Sequence, residues 1–272
     1  MSIVDNKERV AAYTSSEIVK ILTFGTRPMT DAEIEQHLKE NPKSKKKNIE
    51  CWPGDAAVTY ILEKQMEQRL GRTLDTDVDA RPTQWGKFLE PPVFEMLPEY
   101  LHLKGETFTH EKYPFWRGSA DGLALDTTGD TKCPFTLSSF CQLVDPLYAG
   151  LEGMDAMNAI RNGWVDKNGL QHKPHKDGEK FYQQIVSGSC IHTTKYGELI
   201  VYMPRKADLA RLKLLADGNP DAYWIWAADD NKLPYLPDNC SYNSLNRIKF
   251  EIPVADKEFL EEYVVKAGKY LQ

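Results

Sequence analysis

Gly118-Ser119-Ala120-Asp121-Gly122 is followed, after Asp126-Thr127-Thr128-Gly129, by Asp130-Thr131-Lys132. Turn-forming residues at 126–129, preceded by the aromatic and β-forming runs 107–113 and 115–125, predict a β-hairpin leading straight into Asp130. Side chains at i and i+2 of a strand share a face, so Asp130 and Lys132 point one way and Thr131 the other. Asp121, on the neighbouring strand, reaches the same face. Two carboxylates beside an ammonium suit a hard divalent cation such as Mg²⁺, which prefers oxygen ligands in octahedral geometry and keeps some of its waters. Lys132 is then placed to orient or help deprotonate a water for attack on a phosphodiester. The same residues would equally serve as an ion pair on an exposed hairpin, since D-x-K is a common tripeptide.

On the N-terminal side, Thr14 and Glu17 have capping-box spacing ahead of Ile18, Ile21 and Leu22, which predicts a helix starting near residue 15. The pattern weakens over 28–54, where the run Lys43 to Asn48 reads as a solvated basic loop. Asp55 is expected to cap a helix with Val58, Ile61, Leu62, Met66 and Leu70 on its buried stripe, closed by Gly71. A further helix carries Trp85, Phe88 and Leu89, and Pro91-Pro92 are expected to kink or restart it. On the C-terminal side, residues 142–178 are mixed, with a turn at Lys167-Asn168-Gly169. Residues 179–191 read as helix, 198–203 as an apolar strand and 247–254 as an alternating strand. Asp256 is expected to cap a last helix bearing Phe259, Leu260, Tyr263, Val264 and Leu271.

The whole chain of 272 residues is 41% hydrophobic and 27% charged, which excludes collagen-like, disordered and coiled-coil proteins. No apolar run approaches the roughly 18 residues that cross a bilayer, and the start MSIVDNKERV lacks the pattern of a signal peptide, so a cytoplasmic protein without membrane contact is expected. A net charge of −6 argues against a sequence-indifferent nucleic-acid coat, though not against a nucleic-acid enzyme with a local basic groove. The 5 cysteines are odd in number and contain no C-x-x-C pair, which speaks against a disulfide framework or a zinc site. His172 and His175 have H-x-x-H spacing, but in a Lys- and Gly-rich stretch they read as a solvated loop. Cys190 and His192 lack a third group for nucleophilic chemistry, and Cys133 lacks the spacing of an iron–sulfur ligand.

Four words of the sequence resemble the lambda-type exonucleases, phage recombination enzymes of the PD-(D/E)XK nuclease superfamily. They are Trp85-Gly86-Lys87-Phe88-Leu89-Glu90, Ser119-Ala120-Asp121-Gly122-Leu123, Asp130-Thr131-Lys132-Cys133-Pro134-Phe135-Thr136 and Phe181-Tyr182-Gln183-Gln184, in the family's order. The resemblance implies an α/β, restriction-endonuclease-like fold, a mixed central sheet flanked by helices, as one domain over residues 1–272. It implies Glu90 as a helix-borne acid, Asp121 and Asp130 as metal ligands with the Thr131 carbonyl completing the shell, Lys132 as the catalytic lysine and Gln184 as its support. Arg9, Ser16 and Ser119 resemble the family's pocket for a DNA 5′-phosphate. That pocket has a physical rationale, because free N–H groups at a helix start and a guanidinium both favour phosphate.

The implied activity is Mg²⁺-dependent resection of double-stranded DNA from its ends, 5′ to 3′, in phage-type recombination, with Mn²⁺ able to substitute. The implied partners are double-stranded DNA ends, two further copies in a closed homotrimer and a single-strand annealing protein, in the cytoplasm of a bacterial host. Two features depart from the family: Asp130 stands where Glu is common, and the 51 residues between Lys132 and Gln184 are long, which marks 142–178 as an insertion. The rival readings are a site- or structure-specific endonuclease on the same fold, and a DNA-end-binding protein without turnover.

Overall fold

The computed structural model describes residues 7–74 and 80–271. A 3₁₀ turn at Lys7–Arg9 leads into strand β1 (Tyr13–Thr14) and a 3₁₀ helix at Ser15–Leu22. The strands β2 (Gly25–Pro28) and β3 (Asn48–Cys51) pair antiparallel around helix α1 (Asp31–Glu40). Helices α2 (Asp55–Leu70) and α3 (Arg81–Glu95) follow. Five strands come next: β4 (Leu101–His102), β5 (Phe108–Thr109), β6 (Trp116–Gly118), β7 (Gly122–Ala124) and β8 (Thr127–Lys132). Helices α4 (Leu137–Tyr148) and α5 (Gly153–Asn162), the hairpin of β9 (Trp164–Val165) and β10 (Gln171–His172), and helix α6 (Gly178–His192) lead to β11 (Tyr196–Tyr202). Helices α7 (Leu209–Ala216) and α8 (Tyr223–Ala227), strand β12 (Leu245–Glu251) and helix α9 (Val254–Gly268) complete the chain.

The main sheet has the order β12-β11-β8-β7-β4 and is mixed: β8 and β11 run parallel, the other neighbours antiparallel. A parallel pair needs a crossover, and the stretch from α4 to α6 supplies it. Strand β11 shows why both faces are covered. Its residues alternate sides, and all of 197–202 are buried. Leu199 and Val201 pack with Phe140, Met157, Tyr182, Ile185 and Leu260 from α4, α5, α6 and α9. Ile200 and Tyr202 pack on the other face with Trp85, Leu89 and Val93 of α3 and Leu209 and Leu212 of α7. Burying each such aliphatic side chain contributes about 1.5–3 kcal/mol, so a continuous apolar strand is what a two-sided sheet selects. A smaller sheet, β1-β6-β5, seats the N-terminal segment beside the Gly118–Asp121 turn.

Several local expectations change in the folded chain. Thr14 precedes the helix at residue 15 but makes no capping bond: its hydroxyl meets Tyr60 Oη at 3.2 Å, while Glu17 pairs with Lys20 and Lys180. Residues 28–54 contain α1, whose Thr30 and Glu33 form a full capping box. Helix α2 is bounded as expected, with Gly71 left-handed at φ 66°, but Gly54 rather than Asp55 is the cap. Its buried face is Ala57, Tyr60, Ile61, Lys64 and Glu67, so Val58, Leu62, Met66 and Leu70 lie exposed. Helix α3 runs through Pro91 and Pro92 without a break. The β7–β8 turn falls at 125–126, earlier than expected, because Ala124 pairs with Thr127. Residues 142–178 hold most of α4, then α5 and the β9–β10 hairpin, whose turn the Asp166 carboxylate closes on the amides of Asn168 and Leu170. Asp256 accepts a hydrogen bond from Tyr182 instead of capping α9, whose cap is Pro253. Among the described residues no helix is long and apolar enough to cross a membrane.

Candidate active site

The hairpin aligns Gly122 with Gly129, and Asp121 donates its amide to the Gly129 carbonyl at 3.2 Å. This places the Asp121 carboxylate at the end of β8, where Oδ2 accepts from the Thr131 amide at 2.6 Å. Asp130 and Lys132 project together toward α6. Lys132 Nζ lies 2.8 Å from Asp130 Oδ2 and donates to Gln184 Oε1 at 3.4 Å, with the Phe181 ring beneath it at 4.8 Å. Asp130 is 2% exposed, and its Oδ1 has no hydrogen-bond partner among the described residues. A buried carboxylate oxygen is costly to leave unmatched, so this atom points to something the chain itself does not supply.

Burial raises both carboxyl groups. Asp121 is pushed up to about 8 by burial, then by the neighbouring Asp130 and Glu90 charges, with Lys132 opposing. Burial likewise raises Asp130 against the opposing Lys132. Burial disfavours the Lys132 ammonium, but Asp130 and Asp121 outweigh it and hold the lysine above its ordinary range. Excess negative charge at one point is relieved by a cation.

Of these groups Asp121 opens into a cavity of about 550 Å³, lined in part by Glu90, Asp121 and Gln184 at one end and Arg9, Ser16 and Ser119 at the other. Glu90 Oε1 is 2.7 Å from His102 Nε2, and the imidazole stacks on Phe94 at 4.6 Å. Arg9 donates to Ser119 Oγ at 2.7 Å and to Thr107 Oγ1 at 3.3 Å. Gly118 is required at the wall between the ends, since a Cβ there would stand 2.0 Å from Ser15 Oγ. Of the site residues that the resemblance names, Arg9, Ser16, Glu90, Ser119, Asp121 and Gln184 line the cavity, whereas Asp130, Thr131 and Lys132 do not and join the site through the Thr131 amide on Asp121 and the Lys132–Gln184 contact. Sequence reasoning missed Lys87, His102, Lys104 and Thr107. Lys87 lies inside the Trp85–Glu90 word, whereas nothing local marks the other three.

The donor set fits a hard cation. It offers carboxylate oxygens and one unmatched buried oxygen, and the His102 imidazole in the wall is already engaged with Glu90. Among the described residues no three His, Cys, Asp or Glu side chains are grouped to hold a metal ion, so a cation on Asp121 and Asp130 would complete its shell with backbone oxygen and water. The other candidates serve structure. His172 stacks on Trp164 at 4.1 Å, and His175 is 5% exposed between Ser139 and the Asp177 amide, in place of the solvated loop expected. Burial pushes the Cys190 thiol up to about 12, the wrong direction for a nucleophile.

No protein-family model matches the sequence, and no curated protein matches it. Solved structures do match. A phage-related exonuclease from Haemophilus somnus 129PT is 14% identical, with a TM-score of 0.52 over 95% of this chain and 92% of that one. LHK-Exo in complex with dAMP is 12% identical, with a TM-score of 0.50 over 99% of this chain and 96% of that one; LHK-Exo is an alkaline exonuclease from Laribacter hongkongensis. Over nearly its full described length, the chain has the fold of these exonuclease structures.

Proposed function

We propose that the chain is a divalent-cation-dependent nuclease on a restriction-endonuclease-like core, which hydrolyses double-stranded DNA from its ends, 5′ to 3′. The observation that carries this reading is one cavity lined by Glu90 and Asp121, with the buried Asp130–Lys132 ion pair on the neighbouring strand, and by an arginine–serine pair. A scissile phosphodiester and a terminal phosphate are the two anionic groups such a cavity would span. The solved structures that it resembles, an exonuclease in each case and one of them in complex with dAMP, support the same substrate class.

Asp121 and Asp130, with the Thr131 carbonyl, would hold Mg²⁺ or Mn²⁺. When bound, the cation supplies Lewis-acid stabilisation of the phosphoryl charge and of the leaving 3′ oxygen. Lys132, held as the ammonium, orients the attacking water by donating to it, and Gln184 restrains the ammonium from α6. Glu90, held by His102, adds a carboxylate to the same wall. Arg9, Ser16 and Ser119 bind the 5′-phosphate and so set the end from which cutting starts. A closed ring of three copies and a single-strand annealing partner in phage-type recombination complete the reading. Purified protein with Mg²⁺ is expected to degrade linear plasmid and leave the closed circle intact, and EDTA is expected to stop the reaction. Cutting of the circle would transfer the reading to an endonuclease, and binding of ends without degradation would transfer it to an end-binding protein.

A further inference from the structure

The phosphate end of the cavity is held from behind by helix α2. Tyr60, Lys64 and Glu67 recur at i, i+4 and i+7 and so share one face. All three are buried, at 2%, 4% and 1% exposure. Lys64 Nζ lies 2.8 Å from Glu67 Oε1, which also accepts from the Leu74 amide at 3.2 Å. The second oxygen, Oε2, accepts from the backbone amide of Ala11 at 3.0 Å. Ala11 is a non-glycine residue at φ 53°, a conformation that costs free energy and persists only where neighbours enforce it. Tyr60 Oη holds the next point along the segment, accepting from the Thr14 amide at 3.0 Å. Arg9 and Ser16 lie just outside these two anchors. The left-handed bend at Ala11 is what turns the chain so that Arg9 comes back onto Ser119 at 2.7 Å.

We propose that Glu67 is a positioning residue for recognition of the 5′-phosphate: its buried carboxylate fixes the Ala11 bend, and the bend aims Arg9. The charge pairing itself is replaceable, because a buried pair can be exchanged for apolar residues of similar volume at little cost in stability, and one oxygen of Glu67 serves the Leu74 amide. The other oxygen is the acceptor that it presents to Ala11. The inference rests on the proposed reading of the cavity as a phosphate-binding site, and the experiment separates the two.

Degradation rates of 5′-phosphorylated and 5′-hydroxyl linear duplexes are compared for the wild type, K64M/E67M and K64M/E67Q. The first variant fills the space without an acceptor, and the second restores an amide oxygen. In K64M/E67M the phosphate-to-hydroxyl ratio is expected to fall by about tenfold or more, as misplacement of a positioning group does. In K64M/E67Q the ratio is expected to return toward that of the wild type. A purely structural role would lower the melting temperature and leave the ratio alone. An undiminished ratio in folded K64M/E67M overturns the inference and leaves the phosphate reading standing, whereas a wild-type ratio of one overturns the phosphate reading itself and the inference with it. Should K64M/E67M fail to fold, residue-resolved amide exchange of the wild type decides: slow exchange at Ala11 supports the inference, and exchange at the unprotected rate overturns it.

Discussion

Asp130 brings a carboxylate to a place that is 2% exposed and gives one of its oxygens no partner. Replacing it should therefore harm catalysis far more than folding. Asp130→Asn is expected to lower the cleavage rate by roughly a thousandfold or more, the several kcal/mol a Lewis acid supplies. Its melting temperature without metal is expected to stay near that of the wild type or rise; parallel activity assays and calorimetry check both. A cation that binds only the folded chain stabilises it by mass action. Saturating Mg²⁺ is accordingly expected to raise the wild-type melting temperature by about 5 °C or more and to leave Asp130→Asn unchanged. An equal shift in both proteins would place the cation elsewhere.

Helix α2 separates what a sequence pattern gives from what packing decides. The apolar stripe Val58, Ile61, Leu62, Met66 and Leu70 identifies a helix, and its end at Gly71 is legible in φ-permissive glycine, yet of the stripe only Ile61 is buried and the other four face outward. The buried side carries Tyr60, Lys64 and Glu67, whose use depends on Thr14 and Ala11, more than 40 residues away in sequence. Ile61→Ala, at a site 4% exposed, is expected to cost about 2–5 kcal/mol in chemical denaturation. Leu62→Glu, at a site 46% exposed, is expected to stay within about 0.5 kcal/mol.

Helices α4 and α6 meet through His175, whose Nε2 lies 2.9 Å from Ser139 Oγ and whose Nδ1 accepts from the Asp177 amide. Burial holds this imidazole below its usual range, with Asp177 opposing and Lys176 assisting. A histidine depressed in the folded state lends stability above its unfolded pKa of about 6.5 and loses it as pH falls through the folded value. Thermal stability is thus expected to decline from pH 7.5 toward 5, less steeply in His175→Asn, which keeps an acceptor without the titration. The H-x-x-H spacing gave no sign of this, because burial is a property of the crossover that surrounds it. Conversely, the Asp130–Lys132 face and the Asp121 approach were legible, since they depend only on strand alternation and one hairpin.

At the scale of the whole molecule, a body of net charge −6 repels duplex DNA at long range, which makes enclosure of the duplex useful to an enzyme that moves along it. A closed ring of three copies is expected from light scattering at micromolar concentration, at three times the 31.1 kDa chain. A mass of one chain, with and without DNA, would remove the ring. The cavity also has a property that follows from the route of the chain. Its arginine–serine end is built mainly from residues 9–16 and 104–119, its carboxylate end from Glu90 of α3, Gln184 of α6 and Asp121, two residues beyond Ser119. On the proposed function, grip and hydrolysis would meet in the turn that carries both Ser119 and Asp121, so a change in that turn would alter together which DNA termini are accepted and the chemistry that cuts them.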